Sequence, residues 1–213
     1  MHPQDTATRY NHIAQWWQTQ HQGSLYGIAQ LEQAIKFTTK KQSAIDIGCG
    51  SSGRFIKVLS EHGFQAEGLD ISEEMIDLAK QLHPGVTFYW SDICCWNPSK
   101  SYNLIVAWDS TFHLPLDMQE PVTKKLCNAL EPDGVLMFTC GGGYRQDEVS
   151  GTFQGQDFEY STLGVNAFLK ILIEQHCTCL HVEYDQYPEN HVYIQPIRRL
   201  ASTVTALGKP VSE

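Results

Sequence analysis

Between residues 44 and 139 the chain alternates short runs of β-branched, aliphatic or aromatic residues with stretches whose apolar positions recur at helical spacing. The runs are Ala44 to Ile47, Ala66 to Ile71, Val86 to Trp90, Asn103 to Trp108 and Gly134 to Thr139. Connections of this length are too long for hairpins and suit helical crossovers, which join parallel strands. Strands that are apolar on both faces must be covered on both. The expected fold class is therefore α/β, a three-layer sandwich around a mostly parallel sheet. At 213 residues, 42% of them hydrophobic, one such domain spans 1–213.

The punctuation of the chain supports this reading. Ser72, followed by Glu74, Met75, Ile76, Leu78, Ala79 and Leu82, reads as a capped helix closed by Pro84-Gly85. Asp117 or Gln119, ahead of Pro121, opens another helix, with Val122, Leu126, Ala129 and Leu130 inward and Pro132-Asp133-Gly134 as its exit turn. Gly141 to Tyr160 is polar and glycine-rich, a long loop or a hairpin. Thr162 to His176 then reads as a helix. Thr178 to Tyr184 and His191 to Ile197 read as two strands made antiparallel by a short connection. Thr8 to Gln22 forms an amphipathic helix whose Ile13, Trp16 and Trp17 serve either packing or a lid over a ligand.

Charge narrows the partners. Lys+Arg 15 against Asp+Glu 24 gives a formal charge of −9, a field that repels nucleic-acid backbones and anionic membrane surfaces. No apolar run has the length of a membrane span, and Met1-His2-Pro3-Gln4-Asp5 lacks the basic-then-apolar pattern of a signal peptide, so a cytoplasmic protein is expected. Seven scattered cysteines, an odd count in a chain with an ample core, read as reduced thiols.

The stretch Asp46-Ile47-Gly48-Cys49-Gly50-Ser51-Ser52-Gly53 carries an apolar strand into a glycine turn and then a helix, the arrangement that lets backbone approach a nucleotide-like ligand. Two ligand classes compete. A dinucleotide needs its pyrophosphate at the helix N-terminus, where Asp46 would repel it; a ligand carrying a cation would be attracted. Asp70, at the tip of the second strand, suits the hydroxyls of a ribose in either class. Asp92, at the tip of the third, suits an exocyclic amine. Each carboxylate alone could be a turn cap, but together they form a constellation on the carboxyl edge of the sheet.

With those residues in view, the sequence resembles the class I S-adenosylmethionine-dependent methyltransferases of the small-molecule type. Asp46 to Gly50 with Gly53 is similar to their glycine motif, Gly68-Leu69-Asp70-Ile71-Ser72 to their ribose motif and Ser91-Asp92-Ile93 to their adenine motif. Tyr102 to Asp109, with Phe112-His113-Leu114, resembles motif IV, and Leu130 to Leu136 the turn into strand five. The resemblance implies a Rossmann-like seven-stranded sheet with its last strand antiparallel, and methyl transfer (EC 2.1.1.-) from S-adenosylmethionine, leaving S-adenosylhomocysteine. It implies that Gly48 and Gly50 meet the methionine portion, Asp70 the ribose, and Asp92 with Ile93 the adenine, with Cys49, Ile71 and Met75 also in the cofactor site. Asp46 and the backbone near Ala107 would meet the aminoacyl end, and Tyr10 would close over the cofactor. Segments follow: a helical lid at 1–40, a cofactor-binding core at 41–140, a loop or hairpin near the acceptor at 141–160, and a final helix and strand pair at 161–213. Motif IV here reads Ala107-Trp108-Asp109-Ser110, unlike the Asn-Pro-Pro-Tyr pattern of amino-methylating DNA enzymes, so the motif adds to the charge argument for a small-molecule acceptor.

For the acceptor side the candidates are Asp109, to orient it or screen a sulfonium, and His113, as a base where a proton must leave. Trp17, Tyr144 and Arg145 are candidate substrate contacts, the arginine favouring a carboxylate. His176-Cys177-Thr178-Cys179-Leu180-His181 has metal-binding residue types, but alternate residues of a strand point to opposite faces, so no metal is expected. The competing functions are an NAD-dependent oxidoreductase and a cofactor-binding module without activity.

Overall fold

The computed structural model describes residues 2–199. Two helices, α1 (Pro3–His21) and α2 (Ile28–Phe37), precede β1 (Ser43–Ile47), α3 (Arg54–Glu61), β2 (Gln65–Asp70), α4 (Glu73–Leu82), β3 (Thr87–Trp90) and β4 (Tyr102–Ala107). A 3₁₀ turn at Thr111–His113 leads to α5 (Leu116–Asn128) and β5 (Leu130–Gly141). A hairpin of β6 (Asp147–Phe153) and β7 (Gln156–Thr162) then intervenes before α6 (Val165–Glu174), β8 (Cys177–Glu183) and β9 (His191–Arg198).

Seven strands form one sheet in the order β3-β2-β1-β4-β5-β9-β8. The first five are mutually parallel, and β9 runs antiparallel to both β5 and β8. Alternation along the central strands assigns the two faces. Ile45, Ile105, Leu136 and Phe138 pack with Val122 and Leu126 of α5 and Phe168 and Leu172 of α6. Their neighbours Ala44, Leu104, Val106, Val135 and Met137 pack with Leu31 and Ile35 of α2 and Phe55 and Leu59 of α3. Both faces are dry, which is why these strands read as unbroken apolar runs. Ile76 and Ala79 of α4 join Ile56 of α3 near the β2–β3 edge.

The sequence places most element ends within two residues; α1 starts at Pro3 rather than Thr8 and α6 at Val165 rather than Thr162, and three further differences bear on the frame of the fold. Helix α5 starts at Leu116, so Pro121 lies inside it. The Pro132-Asp133-Gly134 turn is absorbed into β5 as an irregularity: Tyr102 pairs with Leu130 and Leu104 with Val135. Asp133 there has φ 61°, and a Cβ at Gly134 would lie 2.9 Å from the Tyr102 carbonyl, so only glycine fits beside β4. The segment 1–40 holds two helices with different surroundings: α2 belongs to a covering layer, and only α1 lies over the strand tips. Among the described residues no helix is long and apolar enough to cross a membrane.

Candidate active site

The strand order reverses direction between β1 and β4, and the crevice opens there, beyond the carboxyl ends of the strands. It is lined by Asp46 and Gly48 to Gly50 after β1, Asp70 and Ile71 after β2, Asp92 and Ile93 after β3, and Trp108 to Thr111 after β4. Met75, Tyr10, Trp17 and His113 complete the walls.

Gly48 and Gly50 have φ of 74° and 61°, which a side chain adopts only with strain. A Cβ at Gly48 would collide with Ser110, so the loop lies directly against the β4 tip. The loop is tied to β2: Gly48 N–H and Cys49 N–H both donate to the Leu69 carbonyl, at 2.7 and 3.1 Å. Gly50 N–H donates to Asp70 Oδ2 and Ser72 N–H to Asp70 Oδ1, each at 2.9 Å. Burial raises the Asp70 pKa and those N–H bonds oppose the rise. Asp46 is 3% exposed, and its pKa is pushed up to about 7 by burial; Asp70 adds to the rise and Arg54 opposes it. Asp92 caps its own turn, accepting from Cys94 N–H at 2.8 Å, and still lines the crevice.

Helix α1 is held over this floor. Ser72 Oγ, the N-cap of α4, donates to Asn11 Oδ1 at 2.6 Å, docking the helix on α4. One turn of the helix carries Tyr10, whose phenol donates to His113 Nε2 at 2.8 Å. The other ring nitrogen stands 3.2 Å from the Glu159 carbonyl and can only donate to it, so the proton sits on Nδ1 and Nε2 accepts. Burial pushes the His113 pKa down to about 4, keeping the imidazole neutral. Trp17 stacks on His21 at 4.0 Å, and its indole reaches to 3.4 Å from the place a Gly50 Cβ would occupy.

Thirteen of the sixteen sequence-selected residues thus line one crevice. Ala107 is fully buried and does not reach it; its successors Trp108 to Thr111 do. Tyr144 and Arg145 are not brought to it. Tyr144 is 74% exposed with the Arg145 guanidinium 5.0 Å from its ring centre. The reason is local: Gly142 N–H donates to the Asn190 carbonyl and Val165 N–H to the Gly143 carbonyl, which fixes this segment to the start of β9 and to α6.

Among the other crevice residues, sequence reasoning did not select Tyr26, Arg54, Trp108 and Ser110, whose polar groups stand on its wall. Arg54 directly follows Gly53 and Trp108 directly precedes Asp109, so adjacency to the motifs was the available signal. Arg54 Nε, Trp108 Nε1 and Ser110 Oγ are buried without a hydrogen-bond partner. Such orphaned donors are rare in folded proteins and, gathered on one cavity wall, mark where a ligand's acceptors fit. Among the described residues no group of three or more His, Cys, Asp or Glu converges as metal ligands.

Comparison with known proteins agrees with this geometry. A family profile described as a methyltransferase domain matches residues 19–204. The chain is 32% identical over 115 residues to a ubiquinone biosynthesis O-methyltransferase of Coxiella burnetii, covering 51% of this chain and 47% of that protein. It is 26% identical over 104 residues to a phosphoethanolamine N-methyltransferase of Plasmodium falciparum, covering 47% of this chain and 39% of the relative. Each alignment thus spans under half of the curated relative's length. Among solved structures, the DhpI–SAH complex superposes with a TM-score of 0.69 over 92% of this chain and 97% of that one, at 19% identity. The chain belongs to the methyltransferase-domain family and has the fold of the class I S-adenosylmethionine-dependent methyltransferases.

Proposed function

We propose that this chain is an S-adenosylmethionine-dependent methyltransferase acting in line on a small-molecule acceptor. The observation that supports it is the convergence of the glycine loop, Asp70 and Asp92, from three successive strand tips, on one crevice. The residues fit the cofactor's parts. The glycine loop leaves room where a Cβ would fill it, Asp70 keeps lone pairs for ribose hydroxyls, and Asp92 with Ile93 suits adenine. The orphaned donors of Arg54, Trp108 and Ser110 suit a carboxylate-bearing tail, beside Asp46 for its ammonium. The buried Asp46 disfavours a pyrophosphate and hence the NAD reading.

Bound there, S-adenosylmethionine supplies an electrophilic methyl on a sulfonium. Asp109, on the crevice wall at the β4 tip, would offer that positive charge a carboxylate. Tyr10 and Trp17 close the lid and exclude water, and the walls hold the acceptor in line, an effect worth on the order of 7 to 11 kcal/mol of barrier. Where the acceptor must lose a proton, the Tyr10 oxygen takes it while the phenol's own proton passes to His113 Nε2. A base of low pKa suffices, because a methylated hydroxyl is a far stronger acid than imidazolium. The curated relatives bear names of O- and N-methyltransferases of small molecules, which supports this acceptor class.

Calorimetric titration with S-adenosylmethionine, S-adenosylhomocysteine and NADH tests the reading. Binding of the first two and not the third is expected; NADH bound in preference would overturn it. A crystal grown with S-adenosylhomocysteine, followed by a metabolite screen against the space beyond its sulfur, then identifies the acceptor.

A further inference from the structure

His191, the first residue of β9, has its ring between two carboxylates. Nε2 stands 2.8 Å from Asp109 Oδ1 and Nδ1 stands 2.6 Å from Asp185 Oδ1. An ionised carboxylate can only accept, so a ring serving both donates from both nitrogens and is an imidazolium. Burial alone would favour the neutral ring, but the two carboxylates outweigh it and raise the pKa. Asp109 comes from the β4 tip and Asp185 from the β8–β9 connection. Beyond Asp109 stand Tyr26, from the α1–α2 connection, and the Arg54 guanidinium of α3. Trp108 covers the imidazole at 5.8 Å between ring centres.

Side-chain exposure rises along the row, from 5% at Asp185 through 15% at His191 to 28% at Asp109, so the row runs from a covered carboxylate in the β8–β9 connection to the crevice. Asp109 has φ 50°, and its N–H is held by Thr139 Oγ1 at 2.8 Å. An aspartate in this left-handed conformation readily turns back to bond nearby backbone N–H groups. The bond from His191 gives Oδ1 a fixed partner instead.

We propose that His191 is a positioning residue: gripped by Asp185, it holds Asp109 so that the β4 tip presents a fixed carboxylate to the sulfonium side of the cofactor. This rests on the reading of Asp109 given above. A preorganised carboxylate meets developing or resident charge without reorganising, which a freely rotating one cannot do.

Two substitutions separate the ring's two bonds. His191→Gln keeps a donor near the Nε2 position, toward Asp109; His191→Asn keeps one near Nδ1, toward Asp185. By calorimetry, Asp109→Asn and His191→Asn are each expected to weaken S-adenosylmethionine binding by about tenfold, the loss of one charge-assisted contact, while His191→Gln stays within about threefold of the parent. Thermal melts confirm that each variant folds. In protein labelled with ¹⁵N-histidine, His191 is expected to show both ring nitrogens protonated at pH 7, and Asp185→Asn to abolish that signature. The proposal is overturned if the Asn and Gln variants bind alike, or if the ring is neutral in the parent. If Asp109→Asn binds as the parent does, the reading of Asp109 fails and this inference with it. The cofactor assignment is judged separately, by whether the parent binds S-adenosylmethionine at all.

Discussion

At the scale of single residues, Asp70 carries two duties that a turn cap alone would not need. Its oxygens hold the Gly50 and Ser72 N–H groups, and the same carboxylate lines the crevice. On the function proposed above, replacing it removes a ligand contact and loosens the glycine loop together. Asp70→Ala is expected to weaken S-adenosylhomocysteine binding by at least one charge-assisted hydrogen bond, about 1.5 to 3 kcal/mol. Calorimetry reads this directly, and unchanged affinity would detach Asp70 from the cofactor. Asp70 was legible in the sequence because its place follows from the end of an apolar run. Its bond to Gly50, twenty residues earlier, was not, since that depends on how β1 and β2 align side by side.

Among elements, the β6–β7 hairpin braces α1, which lines the crevice. Phe153, at the end of β6, meets Trp16 and Trp17 of α1 with ring centres 5.3 and 6.0 Å away. Phe158 of β7 lies 5.0 Å from Tyr10. The rest of β6 is exposed, and the ring contacts from Phe153 and Phe158, with a His12–Gln156 contact at 3.4 Å, join the hairpin to α1. An edge-to-face aromatic pair is worth about 0.5 to 1.5 kcal/mol beyond the area it buries. Phe153→Ala is accordingly expected to lower cofactor affinity by about two- to tenfold, mainly through faster release, with little change in melting temperature. Stopped-flow displacement of bound cofactor checks the rate. A large loss of stability instead would make Phe153 a core residue rather than a clasp. The sequence left residues 141–160 open between loop and hairpin, because exposed strands with one buried neighbour carry little alternation to read.

For the molecule as a whole, a chain of formal charge −9 concentrates four carboxylates, Asp46, Asp70, Asp92 and Asp109, around one cavity. Burial disfavours the charged forms of Asp46 and Asp70, most visibly at Asp46, raised from 3.8 to about 7. Because the folded state holds this proton more tightly than the unfolded chain, the group's contribution to stability is fully present below the unfolded value. It is lost as pH rises through about 7. Asp46→Asn imitates the protonated form, so its melting temperature should gain on the parent's between pH 5 and pH 8. A cation placed beside Asp46 restores the carboxylate, so binding S-adenosylmethionine near pH 7 should release protons. Titrations in buffers of different ionisation enthalpy detect that release; proton uptake would contradict the placement of the cationic tail.

Local order in the sequence determined the alternating elements, the parallel sheet and the thirteen crevice residues that stand at strand tips or on the facing turns of α1, the α4 start and the 3₁₀ turn. These follow from periodicity, turn chemistry and motif spacing, all of which act between near neighbours. Tertiary structure alone decided the rest. It withdrew Tyr144 and Arg145 by hydrogen-bonding their segment to β9 and α6, turned Arg54 and Trp108 into the cavity, and brought His191 to Asp109 across 82 positions. The physical reason is that a side chain's partner across a sheet is set by strand order and register. Those are products of packing the entire core, and no short stretch of residues encodes them.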